Sequence, residues 1–134
     1  MRAEIDHVGV TATDPEAAGL FLAQILGEGD LVPDGPPDDD SGDMFSLLLD
    51  GWSLAFVRVP EPAPIHLAIR VAPEGFAAAV ERLRAAGIAY GNDPEDPANG
   101  RTDDFLGGPG RAYFKDPDGN LYELVVVVPP TSET

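Results

Sequence analysis

Three residues could together hold a divalent metal ion: His7 and His66, the only histidines in the chain, and Glu123. Each histidine sits near the start of an alternating apolar run, Ile5-Asp6-His7-Val8-Gly9-Val10 in one case and Ile65-His66-Leu67-Ala68-Ile69 in the other. A single histidine on such a strand is more often a hydrogen-bonded core or surface residue than a ligand. A matched pair is different, because equivalent positions of two similar sheets can face one cleft, where imidazole nitrogens meet a metal about 2 Å away. Glu123 shares alternate positions with Leu121, Val125 and Val127, which places a carboxylate in an otherwise apolar row. It is either an edge-strand charge facing water or a ligand whose charge a cation offsets, and the cost of an unpartnered buried carboxylate favours the second. Two imidazoles and one carboxylate leave coordination positions open and suit Fe, Mn, Zn, Ni or Co as divalent ions. The chain has no cysteine, so thiolate nucleophiles, sulfur-ligated zinc and disulfide frameworks are excluded.

These residues must be positioned by strands, and the pattern along the chain supplies them. Ile5 to Ala12 alternates as a strand, and a helix follows that Thr13 or Asp14 can cap, with Pro15 in its first turn and Gly27 as its stop. After a Pro/Gly/Asp-rich loop come two apolar runs, Met44 to Leu49 and Trp52 to Val59, joined by Asp50-Gly51, which reads as a type I′ hairpin turn. Residues 60–64, with three prolines, form a connector. The order then repeats: a strand over Ile65 to Val71, and a helix over Pro73 to Ala86 with Phe76, Val80 and Leu83 on one face. A Gly/Asp/Asn/Pro-rich loop follows, and then strands near Arg111 to Lys115 and Leu121 to Val128 around the turn Asp116-Pro117-Asp118-Gly119-Asn120. Setting His7 on His66 also aligns the two helix stops and the two Asp-Gly turns. The fold expected is therefore α+β: two tandem βαβββ modules of mixed sheet, forming a half-barrel with a shared cleft. The boundaries expected are one domain over 1–134, with module one about 4–59, the linker 60–64, module two about 65–128, and a frayed tail over 129–134.

Twenty-four acidic against eight basic residues give a formal charge of -16, which opposes binding to nucleic acid and to anionic membranes. Solubility accounts for that balance more simply than a cationic substrate does. No apolar run approaches the roughly 20 residues of a membrane span, and the opening residues lack the apolar stretch of a secretory signal, so the expected location is cytoplasmic.

At this point the sequence resembles a known group. Ile5-Asp6-His7-Val8-Gly9-Val10, His66-Leu67-Ala68-Ile69 and, most specifically, Gly110 to Leu124 with its YFKDPDGNLYEL stretch are similar to the vicinal oxygen chelate superfamily. That group includes glyoxalase I, fosfomycin-resistance proteins, type I extradiol dioxygenases and bleomycin-resistance proteins, and the resemblance covers nearly the whole chain. It implies a paired βαβββ fold, usually a homodimer, with the metal ligands of metal-dependent members falling on His7, His66 and Glu123. The repeat places Ala55 where glyoxalase I members usually carry a fourth ligand. Gly9 stands where fosfomycin transferases of the superfamily tend to carry a catalytic threonine, and no third histidine is present as the base that extradiol dioxygenases use. The resemblance thus implies a metal-dependent enzyme acting on a small oxygen-chelating substrate, without fixing its reaction. The alternatives are a metal-free protein that binds and sequesters a drug-like or antibiotic molecule, and a scaffold with no ligand.

Neighbouring residues complete the expectation. Tyr113 and Glu123 are equidistant from Asp118, so a regular hairpin sets them opposite each other, with the phenol able to donate a proton or hydrogen bond; plain packing of the tyrosine is the bland alternative. Trp52, Phe45, Phe56 and Phe105 can line an apolar pocket or simply fill the core. Arg101 and Arg111 can hold an anionic group, although surface pairing is favoured in so acidic a chain. The loop from Gly91 to Gly110 is expected either to act as a flap closing Phe105 and Leu106 over substrate or to be pinned to the core by them.

Overall fold

The computed structural model describes residues 2–128, so the tail expected over 129–134 lies outside the described residues. Contacts divide the chain into two compact units. Among the described residues, unit 1 comprises residues 2–65 with 116–119, and unit 2 comprises residues 66–115 with 120–128.

Unit 1 contains strand β1 (His7–Ala12), helix α1 (Pro15–Leu26) and strands β2 (Asp30–Pro33), β3 (Met44–Leu49) and β4 (Trp52–Arg58). Its sheet runs β1-β4-β3-β2, with β1 parallel to β4 and the other pairs antiparallel. The helix begins where expected: Asp14 caps it by accepting from the Ala17 N–H at 3.1 Å, and Pro15 occupies its first turn. It stops at Gly27, whose φ of 72° is the left-handed conformation that lets the chain leave the helix. Thr13, the other cap candidate, instead donates its hydroxyl to Asp118 Oδ1 at 2.9 Å, which ties the Asp116–Gly119 turn to the start of α1 within this unit. Val10, Ala12, Leu47, Leu54 and Phe56 are buried on one sheet face, and Ala18, Leu22 and Ile25 of α1 are buried with them.

Unit 2 contains strand β5 (His66–Val71), helix α2 (Pro73–Ala85), and strands β6 (Arg111–Lys115) and β7 (Leu121–Val126). The sheet order is β5-β7-β6, with β5 parallel to β7 and β6 antiparallel to it. Ile69, Ala112, Phe114, Tyr122 and Leu124 form a buried layer with Ala79, Val80 and Leu83 of α2. None of the described helices is long and apolar enough to cross a membrane.

The fold class is thus α+β with two βαβββ-like modules in two mixed sheets. Three details differ from expectation. Residues 30–33, read from the sequence as loop, form β2, where Leu31 packs so closely against α1 that a methyl group at Gly19 would collide with it. The turn at Asp50-Gly51 is a two-residue hairpin closed by the Leu49–Trp52 pair, but it is not type I′. That type requires positive φ at both central residues, and only Gly51, at 82°, has it. In unit 2 the place of a third strand after the helix is taken by a single bridge between Gly91 and Tyr113.

Candidate functional site

Strand alternation turns His66, Ala68 and Arg70 of β5, Leu121, Glu123 and Val125 of β7, and Arg111, Tyr113 and Lys115 of β6 to the face of unit 2 opposite the buried layer. The register sets Ala68, Glu123 and Tyr113 in one row, so the pairing of Tyr113 with Glu123 expected from their equal spacing about Asp118 is observed. Glu123 is not on an edge: β7 is the central strand, and the carboxylate is buried. One oxygen, Oε1, lies 2.7 Å from His66 Nε2, and the other accepts from the Arg111 guanidinium. Arg111 is shared with Asp104 Oδ1 at 2.9 Å. The side chains of Arg111, Asp104 and Glu123 are 12, 3 and 7% exposed, so this is an internal ion network and not the surface pairing favoured for Arg111. Arg101 does pair at the surface, with Asp103.

The electrostatics follow from this packing. Hydrogen bonding from Arg111, reinforced by the Leu106 N–H, holds the Asp104 carboxyl below its usual pKa. Asp104, and then Glu123, push the Arg111 guanidinium further up. Burial raises the pKa of the Tyr113 phenol, and the Glu123 charge and a hydrogen bond to Glu123 raise it further, so the phenol stays protonated. The Tyr113 ring lies tilted beside His66, with centroids 5.9 Å apart.

The equivalent face of unit 1 carries His7, Gly9 and Thr11 of β1 with Ser53, Ala55 and Val57 of β4 and Met44, Ser46 and Leu48 of β3. His7 is exposed, and its Nδ1 lies 2.8 Å from Asp6 Oδ2. A carboxylate on one ring nitrogen fixes the tautomer that leaves Nε2 as an acceptor or ligand. Gly9 pairs with Ala55 as Ala68 pairs with Glu123, so Ala55 occupies the position equivalent to Glu123 and offers no ligand. A cavity of about 520 Å³ opens here. Phe45, Phe56 and Trp52 do not line it; Phe56 belongs to the buried layer facing α1, as their alternation with Ala55 requires. Sequence reasoning missed Asp34, whose Oδ2 accepts from the buried Ser46 hydroxyl at 2.6 Å, and Asp104, which anchors Arg111. Both carboxylates sit in loops, where periodicity carries no signal.

The loop over residues 91–110 is densely tied. Buried Asn92 donates to the Asp103 carbonyl at 2.7 Å and accepts from Asn99 at 2.8 Å, while Asp104 accepts the Leu106 and Gly108 N–H groups. Phe105 and Leu106 are exposed at 56 and 67%, so neither pins the loop to a core.

Among the described residues, no three His, Cys, Asp or Glu side chains gather as a metal cluster. His66 and Glu123 come together, Tyr113 joins them, and His7 belongs to the other unit. The donor chemistry fits a divalent ion: an imidazole nitrogen and a carboxylate oxygen 2.7 Å apart on adjacent strands, the carboxylate oriented from behind by a guanidinium.

A family model described as "Glyoxalase-like domain" matches residues 7–125. No curated protein matches the chain. Among solved structures, "Oxidase ChaP-H2" is 30% identical with a TM-score of 0.80, covering 98% of both chains. The fosfomycin resistance protein FosX from Listeria monocytogenes shares the fold at 18% identity and a TM-score of 0.69, with 96% of each chain covered. TnmS3, an antibiotic binding protein from Streptomyces sp. CB03234, shares it at 23% identity and a TM-score of 0.66, covering 93% of this chain and 96% of that one.

Proposed function

Because the chain belongs to the glyoxalase-like family of the vicinal oxygen chelate superfamily, we propose that it is a metal-dependent enzyme acting on a small oxygen-chelating substrate. His7, His66 and Glu123 are the ligands in this reading. The observation that carries it is the convergence of His66 Nε2 on the buried Glu123 carboxylate. Full-length likeness to an oxidase at 30% identity supports oxidative chemistry.

A bound Fe, Mn, Zn, Ni or Co ion would supply Lewis acidity toward adjacent substrate oxygens. The chain's own residues do the rest. Arg111 donates to one oxygen of Glu123 and leaves the other directed toward His66. Tyr113, held protonated beside Glu123, donates a hydrogen bond or proton to a substrate oxygen. Asp6 orients the His7 ring. His7 belongs to unit 1 and His66 with Glu123 to unit 2, and the reading includes a homodimer.

Calorimetric titration with Mn²⁺ tests this. Wild type is expected to bind, and His66→Ala and His7→Ala are expected to lose most of that affinity; full-strength binding by His66→Ala would refute the ligand set. A second reading, metal-free sequestration of a small molecule, is favoured by one observation: Arg111 already offsets the Glu123 charge without a metal. It requires ligand binding that persists in His66→Ala and in protein stripped of divalent ions.

A further inference from the structure

We propose that the outward face of unit 1 recognises an organic cation: a small molecule with an apolar ring-sized body whose protonated amine or other cationic centre is held by Asp34. The proposal rests on the reading above only in taking this face as the place where substrate lies beside His7.

The cavity has a floor of small residues and walls of apolar ones. Gly9, Ala55 and Ser46 fall in one row of the register, with Ser53 beside them. A Cβ added at Gly9 would meet nothing within 4 Å, so the space continues over that position. Val32, Met44, Leu48 and Val57 enclose it, and its volume of about 520 Å³ lies within the usual range for small-molecule sites.

The lining carries two carboxylates and one histidine, His7. Asp6 and Asp34 line the cavity and no lysine or arginine does. Asp6 is engaged by His7. Asp34 is held by two neutral donors, the Ser46 hydroxyl at 2.6 Å and the Gly35 N–H at 2.7 Å. These fix its direction without cancelling its charge, and a carboxylate has acceptor capacity for more than two donors. The Ser46 hydroxyl and the Gly35 N–H also keep Asp34 ionised below the usual carboxylate range. The contrast with unit 2 is direct, since Glu123 has Arg111 as a built-in counter-charge. An oriented anion beside apolar walls, with no lysine or arginine on the lining and the one histidine there, His7, turned by its Nδ1 to Asp6, selects a cation with an apolar body over neutral or anionic isosteres.

The overall charge of -16 attracts any cation weakly, so the test must separate this face from the rest. Fluorescence titrations at about 0.15 M salt, where the Debye length is about 8 Å, would compare proflavine, a planar cation, with acridone, a neutral molecule on the same ring frame. Wild type is expected to bind proflavine at least tenfold tighter than acridone. Asp34→Asn is expected to weaken proflavine at least tenfold and acridone less than twofold, and Gly9→Phe to weaken both by filling the cavity. Failure of proflavine to bind, equal affinity for the two probes, or proflavine binding unaltered in either variant would overturn the proposal. Mn²⁺ titration of Asp34→Asn separates the two readings. Loss of metal binding by wild type with the probe discrimination intact would remove the metal reading and leave this one standing.

Discussion

The two outward sheet faces share a scaffold and a histidine at the same register, yet their central rows differ completely. In unit 1 the row is Gly9, Ala55, Ser46, three small side chains that leave a cavity. In unit 2 it is Ala68, Glu123, Tyr113, and a guanidinium from Arg111 closes an ion network around the carboxylate. One repeat supplies space and the other supplies charge. Within these rows the difference lies in the side chains, because the strand register is the same; unit 1 adds β2, whose Val32 lines the cavity. A scaffold of this kind can change its chemistry by substituting a few alternate positions while the opposite face keeps its packing.

The largest expected effect is on the ion network. Arg111→Met would leave the buried Glu123 carboxylate without its cation and is expected to cost about 3–5 kcal/mol in urea denaturation. Arg58→Met in unit 1 removes an exposed pair with Asp43 and is expected to cost no more than about 1 kcal/mol. Equal losses would show that the two units do not differ in the way described.

The helix-facing layers should behave alike. Leu54→Ala in unit 1 and Leu124→Ala in unit 2 both empty fully buried positions, and each is expected to cost about 2–5 kcal/mol by the same measurement. A markedly cheaper change in one unit would mean that its layer can collapse around the gap.

A smaller effect follows from copying the charge without its partner. Ala55→Glu is expected to destabilise by about 1–3 kcal/mol at neutral pH, because no lysine or arginine lines that cavity. The loss should shrink in acid as the added carboxyl protonates. A variant as stable as wild type at pH 7 would show that the face tolerates a second acid.

The smallest effect concerns pH. The raised pKa of Tyr113 means that the unfolded chain releases its phenolic proton first, so this contribution to stability is present below about pH 10 and is lost as pH rises above it. Tyr113→Phe is expected to flatten the alkaline slope of denaturation midpoint against pH; an unchanged slope would assign it to other groups.

Much of this was legible in the sequence because alternation is a strong signal. His7, His66, the Tyr113–Glu123 pairing and the equivalence of Ala55 with Glu123 all follow from period-two runs and two Asp-Gly turns. Strand β2 was not legible: Asp30-Leu31-Val32-Pro33 has two apolar residues between Gly29 and an acidic loop, and its strand character comes from pairing with β3. Arg111 was misjudged and Asp104 missed for another reason. Acidic composition predicts surface pairing on average, but a loop seven residues upstream folds back so that its carboxylate meets the guanidinium. Nothing local encodes that contact. Asp34 was hidden in the same way, within an acidic run that is exposed like Asp34 itself; what sets Asp34 apart is its hydrogen bond from Ser46.

The most direct test is elemental analysis of the untagged protein, purified without chelator, beside Glu123→Gln and His66→Ala. A divalent transition metal bound near one equivalent per chain in wild type, and lost from both variants, is the expected result. Wild-type protein that carries no such metal and takes none up from added Fe²⁺, Mn²⁺, Zn²⁺, Ni²⁺ or Co²⁺ would contradict the assignment of His66 and Glu123 as ligands.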